Sequence, residues 1–218
     1  MEFIKVLESL AIIAASGVAI CGINSWRREI KGRKEFELAE EVLALFYEAR
    51  DKISTIRSIH GNVEEGKSRK PNPKETPDEQ KALNDAYVIF ERYQKNQETF
   101  NRLHALRYRF MAIFGSNKAK PFCDLNKIIN EILISAHMLG KLWHMRSQTY
   151  LPRSEDRYDK IIKDIQKYEA VFWEGMQDPD PITLKVESIM SEIDKICEPI
   201  LRRKPTWLSK IFNRKRNV

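Results

Sequence analysis

The sequence predicts an all-α protein: a single transmembrane helix near the N-terminus, continuing into a cytoplasmic bundle of about five helices and ending in a short basic amphipathic tail. Three observations predict it. Apolar residues recur at alternating spacings of three and four along most of the chain, and no segment alternates with period two over a useful length. Only 8 Gly and 9 Pro interrupt 218 residues, of which 32% are charged, a composition that suits helices with solvated faces. The expected organisation is an anchor over residues 1–26, a bundle over 27–201 and a tail over 202–218.

The anchor is read from Ser9 to Trp26, eighteen residues without a charge. With Phe3 to Glu8 as a fringe the helix reaches ~36 Å at ~1.5 Å per residue, enough for a hydrocarbon core of ~30 Å. Glu2, Lys5 and Glu8 stand where a cleaved signal peptide carries bases, and Ile20 rather than a small residue precedes Cys21, against a lipoprotein signal. The bases Arg27, Arg28, Lys31, Arg33 and Lys34 follow the run, which by the positive-inside tendency keeps Arg27 onward cytoplasmic with Trp26 at the interface. The expected location is therefore a membrane, crossed once, with lipid as one partner. Ala11, Ala15 and Ala19 recur every four residues with Gly22 close to the same stripe, a spacing that lets helices approach closely in lipid. Pairing with a partner's helix or with a second copy is expected through those four residues. The competing reading is a soluble bundle in which this segment is a buried core helix.

The first helix of the bundle is expected over about Arg27 to Ile59, with Ala39, Val42, Phe46, Ala49, Ile53 and Ile56 as a seam that Leu38, Leu43 and Leu45 widen. Residues 61–76 (GNVEEGKSRKPNPKET) form a polar loop, expected to be mobile. Thr76, Pro77 and Glu79 then supply a cap, a first-turn proline and an acid three residues on, so a second helix starts there and runs to Phe114 with Gly115 as its stop. Its expected seam is Leu83, Ala86, Phe90, Tyr93, Gln97, Phe100 and His104. A third helix is placed over about 122–146, with Leu125, Ile129, Ile132, Ala136, Leu139 and Trp143 inward. A fourth covers about 155–175. Asp178, Pro179, Asp180 and Pro181 stop it and cap a fifth, which carries Val186, Ile189, Ile193, Ile196 and Ile200.

Charge is placed unevenly. Of the net +7, seven bases and no acids fall between Arg202 and the C-terminus, and without them 31 bases face 31 acids. In that tail Trp207, Leu208, Ile211 and Phe212 share one side of a short helix, followed by Arg214, Lys215 and Arg216. Aromatics beside bases suit the headgroup region of an anionic bilayer. Membrane-surface contact is therefore expected at Trp26, Arg27 and Arg28 and at these seven tail residues, with packing of the tail's apolar side onto the bundle as the alternative.

No motif names a reaction. The cysteines, Cys21, Cys123 and Cys197, are far apart and odd in number, which indicates neither a disulfide framework nor a zinc site. None of His60, His104, His137 and His144 follows a Glu by three residues, and HExxH, GxSxG, CxxC and a phosphate loop do not occur. No metal or cofactor is expected. Tyr108 in ALRYRF is the best candidate for stacking on nucleic acid, but no reading motif accompanies it, so nucleic acid is not an expected partner. The expected function is an interaction, scaffolding or regulatory module on the cytoplasmic membrane face. An enzyme or toxin-like effector with a site assembled from several helices is the alternative.

Overall fold

The computed structural model of the chain describes the backbone of residues 2–147 and 155–202 and the side chains of residues 15–146 and 158–202. Among these residues the regular structure is all helical: α1 (Glu2–Arg57), α2 (Pro77–Phe114), a 3-10 turn (Ser116–Ala119), α3 (Lys120–Ser147), α4 (Glu155–Phe172) and α5 (Pro181–Leu201). The limits of α2 follow the chemistry of its ends. The Thr76 hydroxyl accepts from the Glu79 N–H at 3.2 Å, and Gly115, at φ +95°, donates its N–H to the Met111 carbonyl.

The chain divides into two compact units, one of Met1–Glu41 with Cys197–Val218 and one of Val42–Ile196. In the first unit, nearly every described side chain from Ala15 to Glu37 is exposed, whereas Leu38, Ala39 and Cys197 are fully buried. Ion pairs of this unit include Lys31 with Glu35 and Arg202 with Glu198, each one helical turn apart.

The second unit is a helix bundle with a continuous apolar interior. Val42, Phe46, Ala49, Ile53 and Ile56 of α1 are all buried, as the three–four spacing requires. Phe122 of α3 meets the rings of Phe46 in α1 and Phe110 in α2 at 4.9 and 5.1 Å, which joins three helices at one aromatic cluster. Helices α2 and α3 approach closely at Gly140, where an added Cβ would lie 3.0 Å from Leu83 and 3.3 Å from Ala86. Trp143 of α3 packs edge-on against Phe172 of α4 and donates its Nε1–H to Glu169 at 2.8 Å. The α5 residues Val186, Ile189 and Ile193 are buried, and the Tyr47 hydroxyl donates to Asp194 at 2.9 Å across the α1–α5 contact.

The seam expected for α2 is displaced. The buried line runs through Ala82, Ala86, Ile89, Arg92, Thr99, Leu103 and Phe110, one residue N-terminal to most of the expected positions. Arg92 and Thr99 occupy two of those core positions, so a hydrophobic count favours the neighbouring aromatic line. That line, Phe90, Tyr93, Phe100 and His104, is only half-buried or exposed.

Two buried arginines explain how polar groups enter the interior. Arg57, in the last turn of α1, is 1% exposed. Its guanidinium donates to the carbonyls of Ala170, Val171 and Trp173 at 3.0, 2.7 and 2.9 Å, and to both carboxylate oxygens of Asp180 at 2.9 and 2.8 Å. These carbonyls belong to the C-terminal end of α4, which has no helical donors left. Asp180 in turn accepts from the N–H groups of Ile182, Thr183 and Gly175 at 3.0, 2.8 and 3.0 Å, so it caps the start of α5 while it neutralises Arg57. Arg92 repeats the device at the end of α1, donating to the carbonyls of Ile56, Ser58 and His60 and pairing with Glu65.

Residues 61–76 form a mostly exposed loop, as composition predicts, and polar contacts tie it down at several points. Besides the Glu65–Arg92 pair, Glu91 accepts from the N–H and hydroxyl of Ser68. Arg69 donates to Asn84 at 2.9 Å and pairs with Glu75. Gly66 sits at φ +84°, and a Cβ there would lie 2.0 Å from the Asn84 carbonyl oxygen, so only glycine fits this close approach.

Asp180→Ala leaves the Arg57 guanidinium buried without its counter-ion and uncaps α5. It is expected to lower the unfolding free energy by about 3–5 kcal/mol in urea titration. Lys185→Gln, which removes the exposed pair with Glu131, is expected to change it by less than about 0.5 kcal/mol. Burial alone would raise the Asp180 carboxyl, but the Arg57 guanidinium and the N–H groups of Thr183 and Gly175 outweigh it and hold it well below the usual carboxylate range. Its contribution to stability is therefore complete above the unfolded value of about 3.9 and is lost as the pH falls toward the folded value. The urea midpoint of the wild type should drop more steeply below about pH 4 than that of Asp180→Ala. Gly66→Ala is expected to cost at least about 2 kcal/mol in the same titration.

Candidate functional site

Ala15, Ala19, Gly22, Trp26, Arg27 and Arg28 all lie on α1 within the first unit and are all exposed. Between Ala15 and Trp26 only Ser25 is even partly covered, and Val18, Ile20, Ile23 and Trp26 are 73, 60, 54 and 63% exposed. No heavy atom lies within 4 Å of a Cβ added at Gly17 or Gly22. These twelve of the eighteen residues of the charge-free run are thus exposed rather than buried. An uncharged surface bearing four large apolar side chains is costly in water unless something covers it.

Among the described residues, no helix is long and apolar enough to cross a membrane. The twelve residues from Ala15 to Trp26 amount to ~18 Å of helix, short of a ~30 Å core. The first six residues of the charge-free run, Ala11 among them, have side chains outside the described set. The tail residues Trp207, Leu208, Ile211, Phe212, Arg214, Lys215 and Arg216 also lie outside the described residues.

In the second unit the acids with lowered pKa are tied up in pairs and loop contacts. The hydrogen bond from Arg92 holds Glu65 low, that from Arg69 brings Glu75 down to about 2, and that from Lys127 lowers Asp124. Carboxyls held ionised in this way are weak proton acceptors at neutral pH, so they serve ion pairing better than general-base chemistry. No group of three His, Cys, Asp or Glu residues among those described is placed to hold a metal ion. His60, His104 and His137 are exposed and lie on different helices or loops.

One concave feature was not read from the sequence. A cleft of about 270 Å³ lies between α2 and α3, bounded by Tyr93, Phe100 and Arg107 on one side and by Phe122, Cys123 and Lys127 on the other. The Tyr93 and Phe100 rings stack at 5.6 Å and 24° along its α2 wall. The sequence signal was present: Gln97 and His104, both polar, fall within the aromatic heptad line, and a polar residue every seventh position marks a stripe that is not fully buried.

No protein-family model matches the chain, and no curated protein or solved structure is similar enough to count as a match.

Proposed function

We propose that the protein is a helical interaction module held at a membrane by the charge-free segment of α1, with the bundle on the cytoplasmic side regulating or scaffolding a partner. The observation that carries this reading is the exposure of Ala15 to Trp26: an uncharged helical surface with Val18, Ile20, Ile23 and Trp26 outward, followed directly by Arg27 and Arg28. Lipid is a cover whose chemistry fits both parts, since acyl chains accept the apolar side chains and anionic headgroups attract the bases. The small residues Ala11, Ala15, Ala19 and Gly22 give that segment a face on which a second helix would pack closely. The basic tail, with Trp207 and Phe212 beside Arg214, Lys215 and Arg216, is a second contact with the same surface.

The full chain is expected to sediment with membranes, to resist a carbonate wash and to require detergent for release, whereas a chain starting at Arg27 is expected in the supernatant. Recovery of the full chain in the soluble fraction without detergent would reject the anchor. Within bilayers, cross-linking through Cys21, which is exposed, is expected to trap dimers or a partner. Ala15→Ile with Ala19→Ile is expected to reduce that product severalfold by pushing the helices apart.

A further inference from the structure

We propose that the cleft between α2 and α3 is a binding site for a small aromatic anion, one ring system carrying a phosphate or carboxylate, with Arg107 as the anion's partner. This inference concerns the second unit alone and does not depend on the membrane reading.

The shape limits the ligand first. At about 270 Å³ the cleft falls just under the ~300–1,000 Å³ typical of small-molecule sites, which leaves room for one or two fused rings. Its lining selects a flat apolar body. Tyr93 and Phe100, whose rings stack on each other, line the α2 side, Phe122 forms part of the buried base, and Leu103, Leu125 and Ile129 complete an apolar floor. These aromatic side chains occupy positions that a tighter bundle would bury against α3, yet Tyr93 and Phe100 remain partly open to solvent.

The charge of the lining is one-sided. No carboxylate is among the lining residues, while Arg107 and Lys127 are. Lys127 is already paired with Asp124 at 2.7 Å, outside the cleft. Arg107 is different: it makes no ion pair among the described residues, and its Nε is buried without a hydrogen-bond partner. Arg107 is only partly buried and lines the cleft, so an oxyanion there would be held by a charge-assisted hydrogen bond from the accessible part of its guanidinium. The guanidinium also lies over the Tyr108 ring, 6.0 Å from Cζ to the centroid, a contact that supplies no anionic oxygen. Arg107 thus offers a cation with no carboxylate partner among the described residues, beside an aromatic slot.

The test uses the full chain and three probes: 1-naphthyl phosphate, 1-naphthol and inorganic phosphate. Isothermal titration is expected to give one saturable site for 1-naphthyl phosphate, at least about tenfold tighter than for either of the other two, because only this probe uses both the slot and the guanidinium. Arg107→Gln is expected to weaken naphthyl phosphate by about tenfold and to leave 1-naphthol unchanged, while Arg102→Gln, an exposed arginine on the same helix outside the cleft, should have no effect. Location is read independently at Cys123, which lines the cleft: bound probe should slow its alkylation several-fold and leave that of Cys21 unaltered. If Arg107→Gln fails to fold, Asn126→Trp, which fills the mouth from an exposed position of α3, should abolish binding instead. Absence of a saturable site, equal affinity for naphthyl phosphate and 1-naphthol, or binding that leaves Cys123 unprotected would each overturn the proposal.

Discussion

Three carbonyls at the end of α4 and both oxygens of Asp180 accept from a single guanidinium, that of Arg57. A buried charge is tolerated only where every donor is matched, so the second unit has little freedom in how these elements meet. Helix α4 must end where its last carbonyls reach Arg57, and α5 must begin where Asp180 can both neutralise that arginine and accept from the first N–H groups of its own helix. The Arg57 carbonyl also takes the Glu174 N–H at 2.9 Å, and Ser54 donates to the Glu174 carboxylate. The end of α1, the end of α4 and the start of α5 are fixed by the same few atoms. Helix termini leave about four unsatisfied groups each, and here one terminus satisfies another through a side chain rather than through water. Arg92 does for α1 what Arg57 does for α4, which extends the arrangement from α5 back to the loop at Glu65.

Much of this was legible in the chain and part of it was not. The limits of α2 and the start of α5 rest on Thr76, Pro77, Gly115 and Asp180, residues whose local chemistry acts over a few positions, so they could be read directly. The α1 seam was legible because Val42, Phe46, Ala49, Ile53 and Ile56 are all apolar. The α2 seam was misread because Arg92 and Thr99 take core positions, and a polar residue becomes a core residue only through partners distant in sequence: Ile56, Ser58 and Glu65 for Arg92, and Glu48 for Thr99. The loop's contacts were not legible for the same reason. Gly, Pro and charge at residues 61–76 predict a polar, exposed loop, as most of it is, but Arg69, Glu65 and Ser68 find partners on α2, where composition cannot point.

The misplaced seam and the unread cleft have one cause. Because Arg92 and Thr99 turn α2 so that their line faces inward, the aromatic line of Tyr93, Phe100 and His104 is rotated by roughly one residue, ~100°, toward the edge of the α2–α3 contact. A bundle could bury those rings only by expelling Arg92, which would leave the carbonyls at the end of α1 without donors. The open aromatic wall follows from satisfying the polar groups, not from poor packing.

The distribution of charge bears on where the proposed surface attachment would act. With 31 bases against 31 acids before the tail, and carboxylates such as Glu65, Glu75, Asp124 and Asp180 each paired with a base, the bulk of the chain has little net field to offer an anionic surface. At physiological ionic strength a charge acts over ~8 Å, so an average over the chain does not govern attraction; local clusters do. The two clusters, Arg27 to Lys34 and Arg202 to Arg216, each stand beside tryptophan, Trp26 in one and Trp207 in the other. Aromatic rings and bases in the same short segment suit a boundary between apolar and ionic media better than either medium alone, because each kind of side chain has its favourable side.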